Sequence, residues 1–408
     1  MGSEAIHISE SLLIVFAVIL VAGALAGKLA DKLGIPDVVL YLLVGIIIGP
    51  PCLNLIDVPS NSVLNQLMLI IGASFLLFHG GTGVSFAVLK DVWFSLLLLS
   101  TVAVIVMVLV VGYTAHMVLG ISLLSAFLLA AVLAPTDPAT LVPIFLSVRI
   151  KPRLAQTVLS ESAFNDATGA IMTFTVLGIL TTGEVSLAGS VSKFFTMAGG
   201  GILIGGIYGL FAGYIISDKS KDIFAEYAQV LTLPVIIASY MTAEHFGASG
   251  FMAVFIAGLV YGNLDEIGWT MKETHEEDMH SFINIGSLLL RIVIFILLGT
   301  HVDFKVVQQY LLPGLIIVSV FMFIARPIAV LLCTLPDRKA KWTKNEILFM
   351  FWTRETGVIP AALSGMLIGM GVEYADVIAS ITFMAILATL VIQASSTKWL
   401  AGKLELLE

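Results

Sequence analysis

Glu161-Ser162-Ala163-Phe164-Asn165-Asp166 sets two carboxylates and an amide inside a stretch that otherwise reads as a membrane-crossing helix. The apolar run resumes as Ala167 to Leu180, so these polar groups do not stand at a helix end. A carboxylate near the bilayer centre costs about 2.5–3.5 kcal/mol on insertion scales. Glu161 and Asp166 lie about 140° apart around a helix of 3.6-residue period and so meet different surroundings. Asp166 and Ser162, four apart, share a face. That face offers a carboxylate and a hydroxyl, oxygen ligands suited to a small alkali cation, and the pattern points to ion transport.

Composition carries the same reading to the whole chain. Hydrophobic residues make up 59% of the 408 and charged residues 12%, with a mean hydropathy of +1.05. A soluble domain carries roughly 25% charged residues. Apolar segments of spanning length cover roughly 12–29, 38–55, 63–80, 93–118, 121–147, 154–181, 194–216, 226–245, 248–263, 281–300, 309–334, 345–370 and 374–399. The sequence therefore predicts an all-α polytopic membrane protein with thirteen transmembrane helices. Met1 to Glu10 has no basic n-region, so no cleavable signal peptide is expected. Ile6 breaks the myristoylation pattern. The tail past the last span is a few residues, so no nucleotide-sensing domain is expected there.

Basic residues test that count. Loops after the odd-numbered spans hold Lys28, Lys32, Lys90, Arg149, Lys151, Arg153, Lys219, Lys221, Lys272, Arg338, Lys339, Lys341 and Lys344, and the C-terminal end adds Lys398 and Lys403. The opposite side holds only Lys193 and Lys305, while Arg291, Arg326 and Arg354 fall within spans. By the positive-inside rule the N-terminus is expected outside and the C-terminus in the cytoplasm of a cell carrying the protein in its plasma membrane. A net charge of −8 leaves no nucleic-acid footprint. Much of it sits at Asp265, Glu266, Glu273, Glu276, Glu277 and Asp278, read as a solvated acidic loop. Cys52 and Cys333 read as packing residues.

Six spans, a linker and six more suggest two inverted six-helix repeats, an arrangement that places a transport site where helices break at the midplane. The span 121–147 carries Ala134-Pro135-Thr136-Asp137-Pro138, whose prolines remove donors and disfavour helix before them. The span 345–370 carries Thr353-Arg354-Glu355-Thr356-Gly357-Val358-Ile359-Pro360, again polar and ending in proline. Thr136 is either a cation ligand or, like Asp137, a cap on broken backbone. Gly201, Gly205, Gly209 and Gly213 recur every four residues within a span and read as a surface for close helix contact rather than a nucleotide loop.

Thr136-Asp137-Pro138, the Glu161-Ser162 and Asn165-Asp166 pairs, and the Trp352-to-Pro360 segment together resemble the monovalent cation/proton antiporters, and most of all the NhaP-type sodium/proton exchangers. The resemblance runs along essentially the whole chain. It implies a homodimer, with dimerisation-domain helices in 1–92 and 221–304, core helices in 93–182 and 305–408, and a linker helix in 183–220. It implies a core that moves like an elevator, with Asp166 as the shared cation and proton site. Thr136 and Ser162 would be further ligands of the monovalent cation, and Asn165 would stabilise the site in place of a second Asp. No cofactor is expected, only the transported ions and membrane lipid as partners.

Two positions depart from that pattern. Phe78-His79-Gly80 stands where many relatives carry Phe-Glu-Gly, leaving His79 as a pH-dependent gate residue or a polar interfacial one. Thr356 stands where relatives place Arg, with Arg354 and Glu355 upstream. Glu161 is expected to pair with Arg354, with Arg326 as the second choice; Arg291 reads as a snorkelling residue.

The expected mechanism is competition at one carboxylate. Burial favours the protonated form of Asp166 and a bound cation the charged form, so each ligand excludes the other. One titrating acid implies electroneutral exchange of one cation for one proton, serving pH homeostasis. A potassium/proton antiporter would share every motif. A channel would need a carbonyl filter or charge ring that the sequence lacks. An intramembrane aspartyl enzyme built on Asp137 and Asp166 is set aside by the resemblance.

Overall fold

Serine and threonine caps punctuate the chain. Ser62, Ser122 and Ser249 each accept a backbone N–H three residues on, and Thr343 forms a reciprocal capping box with Glu346. Gly120, with φ of 69°, closes one helix two residues before Ser122 opens the next, a left-handed turn that suits glycine. In the computed structural model, residues 2–33, 35–60, 62–136, 145, 150–183, 187–220 and 223–407 are described. Among them there is no strand, only an isolated bridge between Ile150 and Leu407.

The helices are α1 (Gly2–Leu33), α2 (Asp37–Ile48), α3 (Val63–Thr82), α4 (Phe86–Ser100), α5 (Val102–Leu119), α6 (Leu123–Leu133), α7 (Pro152–Thr182), α8 (Leu187–Ile216) and α9 (Ala228–His245). They continue as α10 (Gly250–Tyr261), α11 (Glu273–Thr300), α12 (Phe304–Gln309), α13 (Leu311–Val320), α14 (Arg326–Thr334), α15 (Lys344–Trp352), α16 (Val358–Gly369), α17 (Ala375–Ala388) and α18 (Ser395–Lys403). Eight continuous stretches of the described residues are long and apolar enough to cross a membrane. Four shorter apolar helices, Asp37–Ile48, Leu123–Leu133, Gly250–Tyr261 and Ile359–Gly369, stand where further spans were expected.

Several expected spans are not smooth helices. Thr101 (φ −122°, ψ −67°) separates α4 from α5. One π-helical segment, Phe321–Ala325, joins α13 to α14, and another, Thr389–Ala394, joins α17 to α18. Such segments widen the backbone ladder and recur at functional sites.

Packing divides the helices into two groups. α1, α2, α3, α8, α9, α10 and α11 pack mainly on one another, as do α4, α5, α6, α7, α13, α14 and α17. The seam runs where α3, α10 and α11 meet α7 and α16, with Phe164 and Phe255 edge to face at 4.7 Å across it. The glycine stripe does what its spacing predicts. A Cβ on Gly205 would lie 2.2 Å from the Ala253 carbonyl and one on Gly209 2.8 Å from Val260 Cβ, so α8 lies directly on α10. Arg291, expected to snorkel, is instead paired with Asp37 at 2.9 Å, and Tyr41 donates to the same Asp37 oxygen at 3.1 Å.

Candidate functional site

α6 stops at Leu133 because Pro135 brings no N–H to continue it. Thr136 follows with no helical partners of its own, and α7 supplies them. Asn165 Oδ1 accepts the Thr136 backbone N–H at 3.0 Å, and Asn165 Nδ2 donates to Thr136 Oγ1 at 3.0 Å. Thr136 Oγ1 donates to Ser162 Oγ at 2.7 Å. One turn further along α7, Gly169 lets the helix lie against the break, since a Cβ there would come within 2.4 Å of Pro135 Cγ. Residues 162, 165 and 169 thus form one face of α7, at the spacing that lines up side chains on a helix.

Asp166 follows Asn165 and is 4% exposed; Thr136, Ser162 and Asn165 are buried to a similar degree. The structure therefore joins three of the expected residues, two hydroxyls bonded to one another and an amide that pins the break, and places the enclosed Asp166 carboxylate next along α7. This arrangement can hold a monovalent cation through oxygen atoms, or a proton on Asp166. Asp137 lies outside the described residues.

Glu161 faces elsewhere, as the helical spacing requires. Both its oxygens accept from one guanidinium, that of Arg326: Nη1 donates to Oε1 and Nη2 to Oε2 at 3.0 Å, while Nε donates to the Met350 carbonyl at 2.9 Å. The expected pairing of Glu161 with Arg354 is corrected here. Arg326 opens α14 directly after the π segment, and its fork meets Glu161 of α7 in the bidentate geometry that suits a carboxylate.

Arg354 has a different task. It lies in the unwound segment 353–357 between α15 and α16, donates from Nη2 to the Ala134 carbonyl, and stacks over the Phe321 ring at 4.6 Å. Ala134 caps the C-terminal end of α6, where unpaired carbonyls concentrate negative charge. A cation from the second break thus closes the end of the first. The segment's backbone is held in turn by Thr389 Oγ1, which accepts the Thr356 N–H at 3.1 Å.

His79 makes its described hydrogen bond to the other group of helices. It lies on α3 with Nδ1 2.8 Å from Ser287 Oγ on α11. Glu355, fully buried in the same unwound segment as Arg354, was assigned no role from the sequence. Its signal was available: a second acid inside an apolar span. The Ala134 and Met350 carbonyls had none, because a backbone group leaves no mark in the residue pattern.

Comparisons with known proteins find relatives along nearly the whole chain. Residues 14–403 match the family described as sodium/hydrogen exchanger, transmembrane. A probable Na(+)/H(+) antiporter 2 of Methanocaldococcus jannaschii is 33% identical over 417 residues, covering 95% of each chain. A K(+)/H(+) antiporter NhaP of Alkalimonas amylolytica is 28% identical, covering 99% of this chain and 68% of that protein. The structure of the sodium proton antiporter MjNhaP1 from Methanocaldococcus jannaschii at pH 8 superposes with a TM-score of 0.85 at 31% identity, covering 97% of this chain and 99% of that one.

Proposed function

The chain belongs to the transmembrane sodium/hydrogen exchanger family, and from that membership we propose that it is an antiporter exchanging one sodium ion for one proton at Asp166. The observation that carries this reading is the hydrogen-bonded Thr136 and Ser162 hydroxyls at a helix break closed by Arg354, with the enclosed Asp166 carboxylate one turn past Ser162 on α7. A cation ligated there favours the ionised carboxylate, and burial favours the protonated one, so each ligand leaves before the other binds.

In this reading α4–α7 and α13–α18 form the moving core, and α1–α3 with α9–α11 form the dimerisation domain against which it slides. α8 links the two. The protein works as a homodimer of thirteen-span subunits in the plasma membrane, N-terminus outside. Both Glu161 oxygens are taken by the Arg326 fork, so this reading gives Glu161 no part in the exchange. The loaded core then bears the same charge with either ligand, and exchange is electroneutral.

The test is reconstitution. In proteoliposomes with an imposed pH gradient, adding sodium should drive proton movement at a rate indifferent to an imposed membrane potential. A rate that scales with potential after leak correction would overturn the one-for-one assignment. A potassium/proton antiporter is the second reading, favoured by the similarity to a K(+)/H(+) antiporter; a panel of lithium, sodium and potassium separates the two. Cation current without a proton gradient would instead identify a channel.

A further inference from the structure

At one end of the seam between the two helix groups, a cleft opens between the turn that follows α11 and the helices α16 and α17. His301 and Asp303 line it from the α11 side, and Asp376 and Ser380 from α17. Leu298, Ile368 and Phe383 give it apolar walls. Ser380 is 6% exposed, yet its hydroxyl has no hydrogen-bond partner among the described residues. Its neighbours Ser364, Thr389 and Thr397 return their hydroxyls to helix carbonyls. A buried hydroxyl left unpaired is costly, so one that lines a cleft points to something polar arriving there.

The charge of the cleft says what that is. Asp376 is exposed in the first turn of α17, and neither of its oxygens is hydrogen-bonded or ion-paired among the described residues. Asp303 is also exposed and caps α12 through Oδ1 alone, accepting the N–H groups of Lys305 and Val306 at 2.8 and 3.3 Å. No lysine or arginine lines the cleft among the described residues. His301 donates from Nε2 to the Val58 carbonyl at 2.7 Å. Burial pushes this ring below its usual range, against the Val58 bond and the Asp57 carboxylate, so it is uncharged at neutral pH. The cleft therefore holds two negative charges and no positive one.

Its position matters as much. α16 starts at the unwound segment 353–357 and runs toward the cleft. Gly365 and Ile368, which line the cleft, lie about 12–17 Å along that helix from Gly357. Leu12 and Leu13 of α1 share an apolar cavity with Val58, so the cleft stands at the end of the bundle where α1 begins. Among the described residues no three carboxylate, imidazole or thiol groups converge as a metal cage. Two open carboxylates and a hydroxyl suit a cation that keeps much of its water. Apolar walls focus their field and raise the local concentration of counter-ions.

We propose that this cleft is a cation-recruiting site at the outer mouth of the exchanger. Asp303 and Asp376 gather a hydrated monovalent cation, and Ser380 meets its water shell, before the ion passes along α16 toward Asp166. This rests on the antiport reading and adds the surface from which the outer cation is drawn.

The experiment uses acid-loaded right-side-out and inverted membrane vesicles from cells expressing the full chain, with radioactive sodium uptake giving a KM on each side. An exposed carboxylate about 4 Å from a monovalent cation is equivalent to about fivefold in binding. Asp303→Asn, which keeps the cap on α12, and Asp376→Asn should each raise KM about fivefold in right-side-out vesicles, and the double variant about twentyfold. Ser380→Ala should raise it less. The KM in inverted vesicles should stay that of wild type. Added choline chloride should shrink the difference, because salt screens exposed charges; loss of packing alone would be neither one-sided nor salt-dependent.

An unchanged KM for the double variant in right-side-out vesicles would overturn the site, as would equal rises on both sides or a rise confined to inverted vesicles. Should the double variant fail to fold, Asp376→Asn decides, since that carboxylate holds no hydrogen bond or ion pair among the described residues. Wild type that takes up no sodium on either side would instead bring down the antiport reading itself.

Discussion

Replacing Arg326 by Met tests how this protein tolerates charge inside the membrane. The substitution removes two charge-assisted bonds to Glu161 and one to the Met350 backbone carbonyl, with Arg326 and Glu161 each 2% exposed. Charged hydrogen bonds contribute about 1.5–3 kcal/mol each. Breaking a buried pair while leaving one charge behind costs about 3–5 kcal/mol, which agrees with two such bonds. Glu161→Gln should cost a similar amount by stranding the guanidinium. The double variant removes both charges and should recover much of the loss, so the single effects fall well short of adding and the coupling exceeds about 3 kcal/mol. The assay is the temperature at which half the detergent-solubilised protein leaves the monodisperse peak, measured for each corner of the cycle. Arg354→Met is the control. It breaks the bond to the Ala134 carbonyl but leaves Glu161 paired, so its effect should add to that of Glu161→Gln. Additive behaviour for Glu161 and Arg326, or strong coupling of Glu161 to Arg354, would refute the pairing.

Three further outcomes are expected. Asp166→Asn should abolish sodium-driven proton movement in proteoliposomes while elution volume and melting stay near wild type; residual exchange at the wild-type rate would remove Asp166 from its role. Gly169→Val should push α7 off the break, since its Cβ falls 2.4 Å from Pro135 Cγ, destabilising by about 1–3 kcal/mol and cutting exchange; unchanged melting and transport would contradict that close approach. At the loop between α14 and α15, partial burial of Asp337 disfavours its charge. Hydrogen bonds from Ser95 and from the backbone of Ala340, Ser95 and Lys339 outweigh it and hold the carboxyl below its usual range. A depressed folded pKa stabilises above the unfolded value of about 3.9 and is lost as pH falls through the folded one. Asp337→Asn should therefore melt earlier than wild type at pH 7, with the difference vanishing in acid; a gap that widens in acid would reverse this assignment.

The sequence by itself determined the class of the molecule, the place of its breaks and the polar residues that meet at the first of them. Each is written in a residue whose presence in hydrocarbon is costly. Pro135 marks where α6 must stop, and Thr136, Ser162, Asn165 and Asp166 are polar where neighbours are apolar. Glycines every four residues along α8 foretold its close approach to α10 for the same kind of reason: a missing side chain has a local steric meaning.

Only the tertiary structure decided who partners whom. Arg326 and Arg354 look alike in sequence, each a guanidinium in an apolar span. Which one reaches Glu161 depends on how α14 and the unwound segment 353–357 are set against α7, and the pair is 165 residues apart. His79 presents the same limit, since its placement against Ser287 follows from how α3 lies on α11. Arg354 was freed for the Ala134 carbonyl, a backbone acceptor that any residue would supply. Charge cost is a property of one residue and can be read along the chain, whereas charge compensation is a property of a pair in space.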